Sequence, residues 1–348
     1  MVKAYEVLVL NLGSTSSKVA VYRGECELFC KNIVHEASIS ERADIESSTA
    51  FRRSVVYEYL ESESYDVRGI DAVVARGGLL APMASGCYEV TDAMVADLAS
   101  AKYGEHASNV SAILGLQIAR SLGVRCYIVD PVIVDELSDV ARISGSALIE
   151  RSSIFHALNH KAVARLHAAS LGRDYEDLRL IVAHMGGGIT VGAHDRGKVV
   201  EVNNGFMGEG PMSPNRPGGL PTVSVVQICE ELHSEGFASL RKRMTRYSGL
   251  MSYFGTDDVR ALREREASGD AQVSLVLSAM AYQIAKEIGA CAAVLHGKVD
   301  AILLTGGLAN DKILVEQISE MTRFISEIAV YPGENEMRSL ALGCLRVL

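Results

Sequence analysis

Apolar and polar residues alternate near the start of the chain in blocks typical of two paired β-strands. Val7–Leu10 forms a short apolar run, and Val19–Tyr22 forms a second one after a polar interval. The interval reads Asn-Leu-Gly-Ser-Thr-Ser-Ser and ends at Lys18, and Arg-Gly-Glu at residues 23–25 predicts the next turn. Because a turn of this kind presents backbone N–H groups, hydroxyls and an ammonium, it can bind an anion. An ordinary surface hairpin is the alternative that this stretch alone leaves open.

The same pattern returns in the second half of the chain. IVAHMGGGITVGAHDRGK matches the first hairpin with a shift of 173 residues, which places His184 on Asn11 and Gly186 on Gly13. DAVVARGGL is echoed by DAILLTGGL, and YIVDP is echoed more weakly by IAVYP. Three echoes in one order predict two copies of one α/β unit.

The repeat predicts two domains, one of residues 1–150 completed by a helix at 337–348 and one of residues 151–336 that carries nucleotide-binding loops. We expect the two domains to face a cleft in which the hairpin turns grip a polyphosphate. Neither a Walker A loop nor a dinucleotide fingerprint occurs in the sequence. The periodicity predicts helices at six places: Met94–Ser100, Asn109–Leu122, Val134–Arg142, Ile154–Leu171, Leu275–Leu295 and Asp311–Ile325.

Composition narrows the functional classes. The 348 residues carry a net charge of −9, which argues against a nucleic-acid surface. Seven scattered cysteines without a C-x-x-C pair indicate reduced thiols, and so a cytoplasmic location. The longest uncharged apolar run, Ala271–Ala285, is too short to span a bilayer, and the N-terminal region shows no signal pattern, so we expect no membrane association.

Several longer stretches together resemble a known family: NLGSTSSK, ARGGLLAP, YGEHASN, VDPVIVDELSDVARISG, SIFHALNHKAVAR, VAHMGGGITVGAH, GEGPMSPNRPGGLP and YPGENEMRSLALG. The duplicated unit resembles the acetate and sugar kinase, Hsp70 and actin superfamily, and the chain is similar to butyrate kinases and more distantly to acetate kinases. The resemblance implies an α/β fold of two duplicated actin-like (ribonuclease H-like) domains. Leu12 departs from the family pattern, which often has Pro there, and Pro217 stands where a small hydroxylated residue is expected.

This resemblance implies reversible transfer of the ATP γ-phosphoryl group to a short-chain carboxylate, giving an acyl phosphate. A carboxylate with a pKa of about 4 is already ionised, so the reaction needs no base but needs cations and donors against charge repulsion. By resemblance, Arg76 and Arg216 hold the acid and neutralise the phosphoryl group, while His106 and His156 donate to it. The alternative for either arginine is a surface ion pair. Arg216 lies in a loop, Gly205–Pro221, with four of the seven prolines, and such loops are often functional.

The turns themselves predict nucleotide phosphate contacts at Gly13, Lys18, Gly186, Gly187 and Gly188. The resemblance adds further residues that contact ATP or ADP: Asn11, Ser14, Ser16, His184, Gly306, Gly307 and Asn310. It also implies that Asp130 and Glu336 bind Mg²⁺, which prefers oxygen ligands. The alternatives are a helix N-cap for Asp130, a solvated turn for Glu336, and a plain strand–helix turn for the Thr-Gly-Gly sequence that holds Gly306. His156 and His160 lack the third ligand and the glutamate of a zinc site, so we expect packing for His160.

Two other functions remain open at this point. An acetate or propionate kinase would use the same chemistry on a shorter acid. An actin-like or Hsp70-like ATP switch would share the fold, but it would not need two arginines and two histidines of this kind. The resemblance implies a homodimer or a higher homo-oligomer.

Overall fold

The computed structural model describes residues 3–13, 16–35, 45–104, 106 and 108–348. It has the predicted mixed α/β class with two sheets. The chain divides into two compact units: unit 1 comprises Met1–Val134 and Asn335–Leu348, and unit 2 comprises Asp135–Glu334. The sequence analysis put the division near residues 150 and 336, and that domain assignment, with nucleotide-binding loops in the second half, stays a prediction.

Unit 1 is built on a six-stranded sheet of order β3-β2-β1-β4-β6-β5. Its strands are β1 Glu6–Leu12, β2 Ser16–Arg23, β3 Cys26–Val34, β4 Ala72–Ala75, β5 Cys87–Glu89 and β6 Arg125–Val129. Its helices are α1 Ile45–Ser62, α2 Asp92–Ala99, α3 Asn109–Leu122 and α12 Glu336–Leu345. Strands β1, β4 and β6 run parallel, so their carboxyl ends meet at one edge of the sheet.

Helices pack closely on both faces of this sheet because glycines stand at the contacts. In α3, a Cβ on Gly115 would lie 2.9 Å from Cys126 Sγ, and in α12 a Cβ on Gly343 would lie 2.3 Å from Val129. Such distances are below van der Waals contact, so only glycine allows these helices to sit where they do. The packing fixes α12, and with it Glu336, against the carboxyl edge of β1 and β4.

Unit 2 is built on a five-stranded sheet of order β11-β10-β7-β8-β9. Its strands are β7 Arg179–Met185, β8 Ile189–Asp195, β9 Lys198–Val202, β10 Ala301–Gly306 and β11 Ile328–Pro332. Its helices are α4 Asp139–Arg142, α5 Ala157–Ser170, α6 Thr222–Glu231, α7 Phe237–Arg246, α8 Leu250–Phe254, α9 Val259–Ala267, α10 Ala271–Val294 and α11 Lys312–Thr322. The apolar stripe of α10 packs with β7 and β8 in one core, and α5 packs on the other face of β7.

The predicted internal repeat is confirmed. Adding 173 to the bounds of β1, Glu6–Leu12, gives those of β7, Arg179–Met185, and both strands begin an antiparallel hairpin. The order β3-β2-β1-β4-β6 in one sheet corresponds to β9-β8-β7-β10-β11 in the other. Each copy therefore places a β-hairpin turn beside the carboxyl ends of parallel strands.

The helix predicted over Val134–Arg142 is wrong for most of its length, because only Asp139–Arg142 is helical. Val134 forms a β-bridge with Met83, and the Asp135 carboxylate accepts a hydrogen bond from the Leu137 N–H at 3.2 Å. A local bond of this kind competes with helix formation. In the described part of the chain, no helix is long and apolar enough to cross a membrane. All seven cysteines are free thiols.

Candidate functional site

The β1–β2 turn of unit 1 closes with a hydrogen bond from the Gly13 N–H to the Ser16 carbonyl at 2.9 Å. Asn11 and Lys18 are paired across the hairpin, so their side chains share one face of the sheet. Ser14 lies outside the described residues. The departure at Leu12 has a structural reason: its side chain is buried and its N–H donates to Ser111 Oγ at 3.1 Å, which a proline could not do.

A buried arginine that the sequence analysis did not identify stabilises this turn through hydrogen bonds. Arg52, on α1, donates to the carbonyl oxygens of Gly13 at 2.8 Å and Ser16 at 3.0 Å, and to Ser17 Oγ at 3.0 Å. The residue is 5% exposed, and burial lowers the pKa of its guanidinium. Because Arg52 engages the carbonyls of the turn and adds a positive charge beneath it, it favours an anion at the turn's N–H groups.

Three predicted residues lie together at the carboxyl edge of β1 and β4. The Arg76 guanidinium lies 3.2 Å from Glu336 Oε1 and 3.5 Å from Asn11 Oδ1, and the Asn11 amide donates to the other oxygen of Glu336. Arg76 follows β4 directly, and its N–H donates to the Leu10 carbonyl at 2.9 Å. The cluster holds a cation, a carboxylate and an amide in fixed relative positions.

Asp130 and His106 occupy separate places in unit 1. Asp130 follows β6 with a φ of 38°, and its Oδ1 accepts hydrogen bonds from Ser85 Oγ at 2.6 Å and the Gly86 N–H at 2.8 Å. His106 Nδ1 accepts a hydrogen bond from the Ser108 N–H at 3.2 Å. Because a backbone N–H can only donate, Nδ1 is the acceptor there, and Ser108 Oγ, 2.6 Å away, then donates to the same nitrogen. The proton of a neutral His106 accordingly lies on Nε2.

In unit 2, the β7–β8 turn occupies the position of the first turn but is one residue shorter, because Met185 pairs with Ile189 whereas Leu12 pairs with Ser17. The Gly186 N–H donates to the Gly188 carbonyl at 3.1 Å, and Ser213 Oγ donates to the Gly187 carbonyl at 2.7 Å. A Cβ on Gly188 would lie 2.2 Å from Arg216 Nη1. The third glycine of the Gly-Gly-Gly sequence therefore makes room for a guanidinium, a role that the sequence alone did not show.

Arg216 reaches this turn from the loop that the sequence analysis singled out. Its Nη1 donates to the Gly205 carbonyl at 2.6 Å, and the guanidinium lies 5.9 Å from the centroid of the Phe206 ring. In the part of the chain that the structure describes, its buried Nε has no hydrogen-bond partner. Burial lowers the pKa of Arg216.

His156 and His184 stack, with ring centroids 3.9 Å apart and an interplanar angle of 14°. His184 Nδ1 lies 2.7 Å from Asn159 Oδ1, whose amide nitrogen donates to the Glu334 carbonyl at 2.9 Å. The hydrogen bond to Glu334 fixes the Asn159 amide so that its Oδ1 faces His184, and His184 Nδ1 is therefore the donor. Asn159 was not identified from the sequence, although it lies in the family-like stretch FHALNH.

The fold requires a glycine at position 306 but not at position 307. Gly306 has a φ of 88°, and its Cβ would lie 2.4 Å from the Met185 carbonyl oxygen, so a glycine is required for the strand to turn there. A Cβ on Gly307 would meet open space. Asn310 is exposed, and its side chain donates to the Gly307 carbonyl at 2.9 Å. The plain strand–helix turn explains Gly306 without a ligand, and the predicted contact of these three residues with adenosine stays a prediction.

Asp130 and Glu336, the expected Mg²⁺ ligands, both lie in unit 1. Both are carboxylates near the carboxyl edge of the sheet and fit Mg²⁺ in kind. Both Glu336 oxygens contact Arg76 or Asn11, however, and one Asp130 oxygen accepts two hydrogen bonds. Among the described residues, no group of three or more His, Cys, Asp or Glu side chains could hold a metal ion. The chain therefore offers individual oxygen ligands of the kind that Mg²⁺ uses together with phosphates and water.

Comparison with known proteins identifies the class that this fold and these turns define. The acetate kinase of Porphyromonas gingivalis matches with a TM-score of 0.79 at 20% identity over 99% of this chain and 100% of that chain. A propionate kinase of Francisella tularensis matches with a TM-score of 0.72 at 18% identity over 97% and 98% of the two chains. The acetate kinase of Entamoeba histolytica matches with a TM-score of 0.76 at 15% identity over 97% and 98%. These similarities show that the chain has the acetate kinase fold.

The family follows from the sequence profile of the acetokinase family, which matches residues 141–331, more than half of the chain. The protein belongs to the acetokinase family. Membership indicates a nucleotide-binding carboxylate kinase.

Proposed function

We propose that the protein transfers the γ-phosphoryl group of ATP to a short aliphatic carboxylate, with butyrate or a branched relative as the preferred acid, and that it catalyses the reverse reaction. The family supports a carboxylate kinase. The observation that carries the proposal within this chain is the environment of Arg216.

Arg216 is a partly buried cation without a carboxylate partner among the described residues. Its one side-chain hydrogen bond there goes to the Gly205 carbonyl, and its Nε is buried and unbonded within that part of the chain. A partly buried charge that is not neutralised is destabilising, because it has lost part of its hydration. An anionic ligand removes that cost, and a guanidinium binds two oxygens of a carboxylate or a phosphoryl group at once. The arrangement suits a group that holds negative charge during phosphoryl transfer.

Arg76, His106 and His156 have complementary roles in this proposal. Arg76 is held by Glu336 and Asn11, which fixes its guanidinium for the acid. His106 and His156 donate hydrogen bonds to the transferring phosphoryl group. None of these residues needs to remove a proton, because the acid is already ionised near pH 7. Their contribution is therefore charge neutralisation and positioning rather than base catalysis.

The nucleotide occupies the turns in this proposal. The proposed phosphate donors are the N–H groups near Gly13 in unit 1 and near Gly186–Gly188 in unit 2, and the proposed side-chain contacts are Asn11, Ser14, Ser16, Lys18 and His184. Asp130 and Glu336 are the proposed Mg²⁺ ligands, and the ion, when bound, neutralises negative charge on the phosphates. We place adenosine beside Gly306, Gly307 and Asn310.

The identity of the acid separates this proposal from a second candidate. The structural neighbours include acetate and propionate kinases, which supports a shorter acid for this chain as well. Burying each methylene contributes about 0.8 kcal/mol, so two more methylenes give on the order of tenfold preference for butyrate over acetate.

Trapping with hydroxylamine tests the function directly. The purified protein is incubated with ATP, Mg²⁺, hydroxylamine and one of acetate, propionate, butyrate, isobutyrate or isovalerate, and the acyl hydroxamate is measured. We expect hydroxamate with the highest kcat/KM for butyrate or a branched acid. A preference for acetate or propionate would show that the proposed acid is wrong, while the proposed carboxylate kinase activity would stand. ATP binding without hydroxamate from any acid would favour an actin-like ATP switch.

A further inference from the structure

A continuous chain of hydrogen bonds runs through unit 2 from His156 to Tyr175. His156 Nδ1 lies 2.9 Å from Thr190 Oγ1, and the same oxygen lies 3.0 Å from His160 Nε2. His160 Nδ1 lies 3.3 Å from His194 Nε2, and His194 Nδ1 lies 2.6 Å from the Tyr175 hydroxyl. These hydrogen bonds join His156, a proposed hydrogen-bond donor to the phosphoryl group, to the interior of the unit.

The middle of this chain is buried, and its two imidazoles are neutral. His160, His194 and Thr190 have no exposed surface, and Tyr175 is 3% exposed. Burial lowers the pKa of both histidines well below the usual imidazole range. His184 and Lys161 lower the pKa of His160 further, and His160, Lys161 and Arg165 lower that of His194 further. A neutral imidazole carries one N–H. The contact between His160 Nδ1 and His194 Nε2 therefore contains one proton, which links the tautomers of the two rings.

Two proton orders satisfy every contact and also give the buried Thr190 O–H an acceptor within the chain; an order in which Thr190 accepts from both histidines would leave its O–H without an acceptor there. In the first order, Tyr175 donates to His194, His194 Nε2 donates to His160, His160 Nε2 donates to Thr190, and Thr190 donates to His156 Nδ1. In the second order, every donor and acceptor is exchanged. The first order puts the ring proton of a neutral His156 on Nε2, and the second puts it on Nδ1.

Charges around the phenol end favour the first order. Lys161 Nζ lies 5.6 Å and Arg165 Cζ lies 5.8 Å from the centroid of the Tyr175 ring. Cations beside a phenol make its hydroxyl a stronger donor and a weaker acceptor. His194 is then the acceptor at its Nδ1, and the order of the remaining protons follows from that contact.

We propose that Tyr175, His194, His160 and Thr190 are positioning residues that hold neutral His156 as its Nε2–H tautomer. The consequence for catalysis rests on the proposed function: the Nε2–H then donates to an oxygen of the transferring phosphoryl group, where the other tautomer would present a lone pair to that oxygen. His106 has the same tautomer, because its Nδ1 accepts from the Ser108 N–H. Both proposed donor histidines are thereby set as donors before substrate binds.

The tautomer can be read without any activity assay. Nitrogen-15 NMR of the full-length protein at about pH 8, above the usual imidazole pKa, distinguishes a pyrrole-type from a pyridine-type nitrogen, and His156→Gln assigns the signals. We expect pyrrole-type Nε2 and pyridine-type Nδ1 for His156. In Tyr175→Phe and Thr190→Val we expect a mixture of the two tautomers, and Thr190→Ser should restore the wild-type spectrum. A wild-type His156 with pyrrole-type Nδ1, or a spectrum that Thr190→Val leaves unchanged, would overturn the proposal.

Tyr331→Phe is the matched control for loss of a phenol. Tyr331 OH lies 2.9 Å from His167 Nδ1, so this variant also removes a tyrosine–histidine hydrogen bond in unit 2, but the bond is not part of the chain to His156. We expect an unchanged His156 spectrum in Tyr331→Phe. Equal changes in Tyr331→Phe and Tyr175→Phe would show a general packing effect and overturn the proposal.

Kinetics separate this inference from the proposed function. In a hydroxamate assay, Tyr175→Phe should lower kcat about tenfold, the effect of one weakened transition-state hydrogen bond, with KM for ATP unchanged. If no acid gives hydroxamate, the proposed function fails while the NMR result stands on its own. If hydroxamate forms and the tautomer is as expected, but kcat is unchanged in Tyr175→Phe, the catalytic consequence is wrong.

Discussion

Replacing Gly188 by alanine should displace the Arg216 guanidinium and leave the fold intact. The new Cβ would lie 2.2 Å from Nη1 and 2.8 Å from Cζ of Arg216, so one of the two groups must move. The backbone of Gly188 is not in the left-handed region, so alanine introduces no backbone strain there. The atoms in the way belong to the end of a flexible side chain, which moves at lower cost than the strand.

The size of the effect follows from the distances. The guanidinium must retreat by about 1 Å to reach ordinary van der Waals separation, and its 2.6 Å hydrogen bond to the Gly205 carbonyl is weakened. A misplacement of about 1 Å in a catalytic group lowers the rate on the order of a hundredfold. The lost charged hydrogen bond costs about 1.5 kcal/mol of folding free energy, which is far less than the stability of a typical domain.

Steady-state formation of acyl hydroxamate measures this rate, and thermal unfolding verifies the fold. Gly289→Ala is the control, because it makes the same chemical change in α10, where the added Cβ meets open space. Alanine is favoured over glycine inside a helix by about 0.5–1 kcal/mol, so the control should unfold at a slightly higher temperature with normal kcat.

A double-mutant cycle tests whether the loss acts through Arg216. If it does, Gly188→Ala should cause little further loss in an Arg216→Ala background. Normal kcat in Gly188→Ala would refute the reasoning. So would a double variant whose loss in kcat equals the product of the losses in the two single variants. The first result would show that the guanidinium position does not matter, and the second that Gly188 acts on something else.

Two further predictions concern buried charge. Arg52→Lys should weaken nucleotide binding about tenfold in calorimetry, because an ammonium cannot reach both turn carbonyls as the guanidinium fork does, while Arg53→Lys on the exposed side of the same helix should bind normally. Equal nucleotide affinities of Arg52→Lys and the wild-type protein would show that Arg52 does not support nucleotide binding. The free energy of unfolding in urea should be highest near pH 7.5 and should fall as the pH drops through the unfolded imidazole pKa of about 6.5, because His160 and His194 bind protons in the unfolded chain and resist them when folded. Stability that rises on acidification would contradict the buried neutral pair.

Much of the fold could be predicted because the internal repeat is visible as short apolar runs separated by turn residues. The shift of 173 residues relates β1 to β7 with matching bounds, since strand bounds follow from short apolar runs and turn residues. The helix predicted near Val134 was wrong because the Asp135 side chain satisfies a backbone donor locally, a competition that periodicity does not reveal. The helix Thr222–Glu231 was also missed, and none of its residues is buried.

The candidate site was predictable where residues lie in family-like motifs and not where they act from a distance. Arg76 could be chosen because it ends a predicted strand before two glycines, and Arg216 because it lies in a long proline-rich loop, each within a family-like motif. Arg52 could not be chosen, because its role depends on carbonyls 36 and 39 residues away in the sequence. The same holds for Tyr175, which is joined to His156 only through three intervening side chains.

The most direct test of the central claim is the rate of hydroxamate formation by Arg216→Ala at saturating ATP and butyrate, with ATP affinity measured on the same preparation. The account predicts a fall in kcat on the order of a thousandfold, as for other arginines that act on a transferring phosphoryl group, with ATP affinity little changed. Arg216→Lys should recover little of the rate, because a point charge cannot span two oxygens. Near-normal kcat in Arg216→Ala, with a change in thermal stability alone, would contradict the claim and make Arg216 a structural residue of its loop.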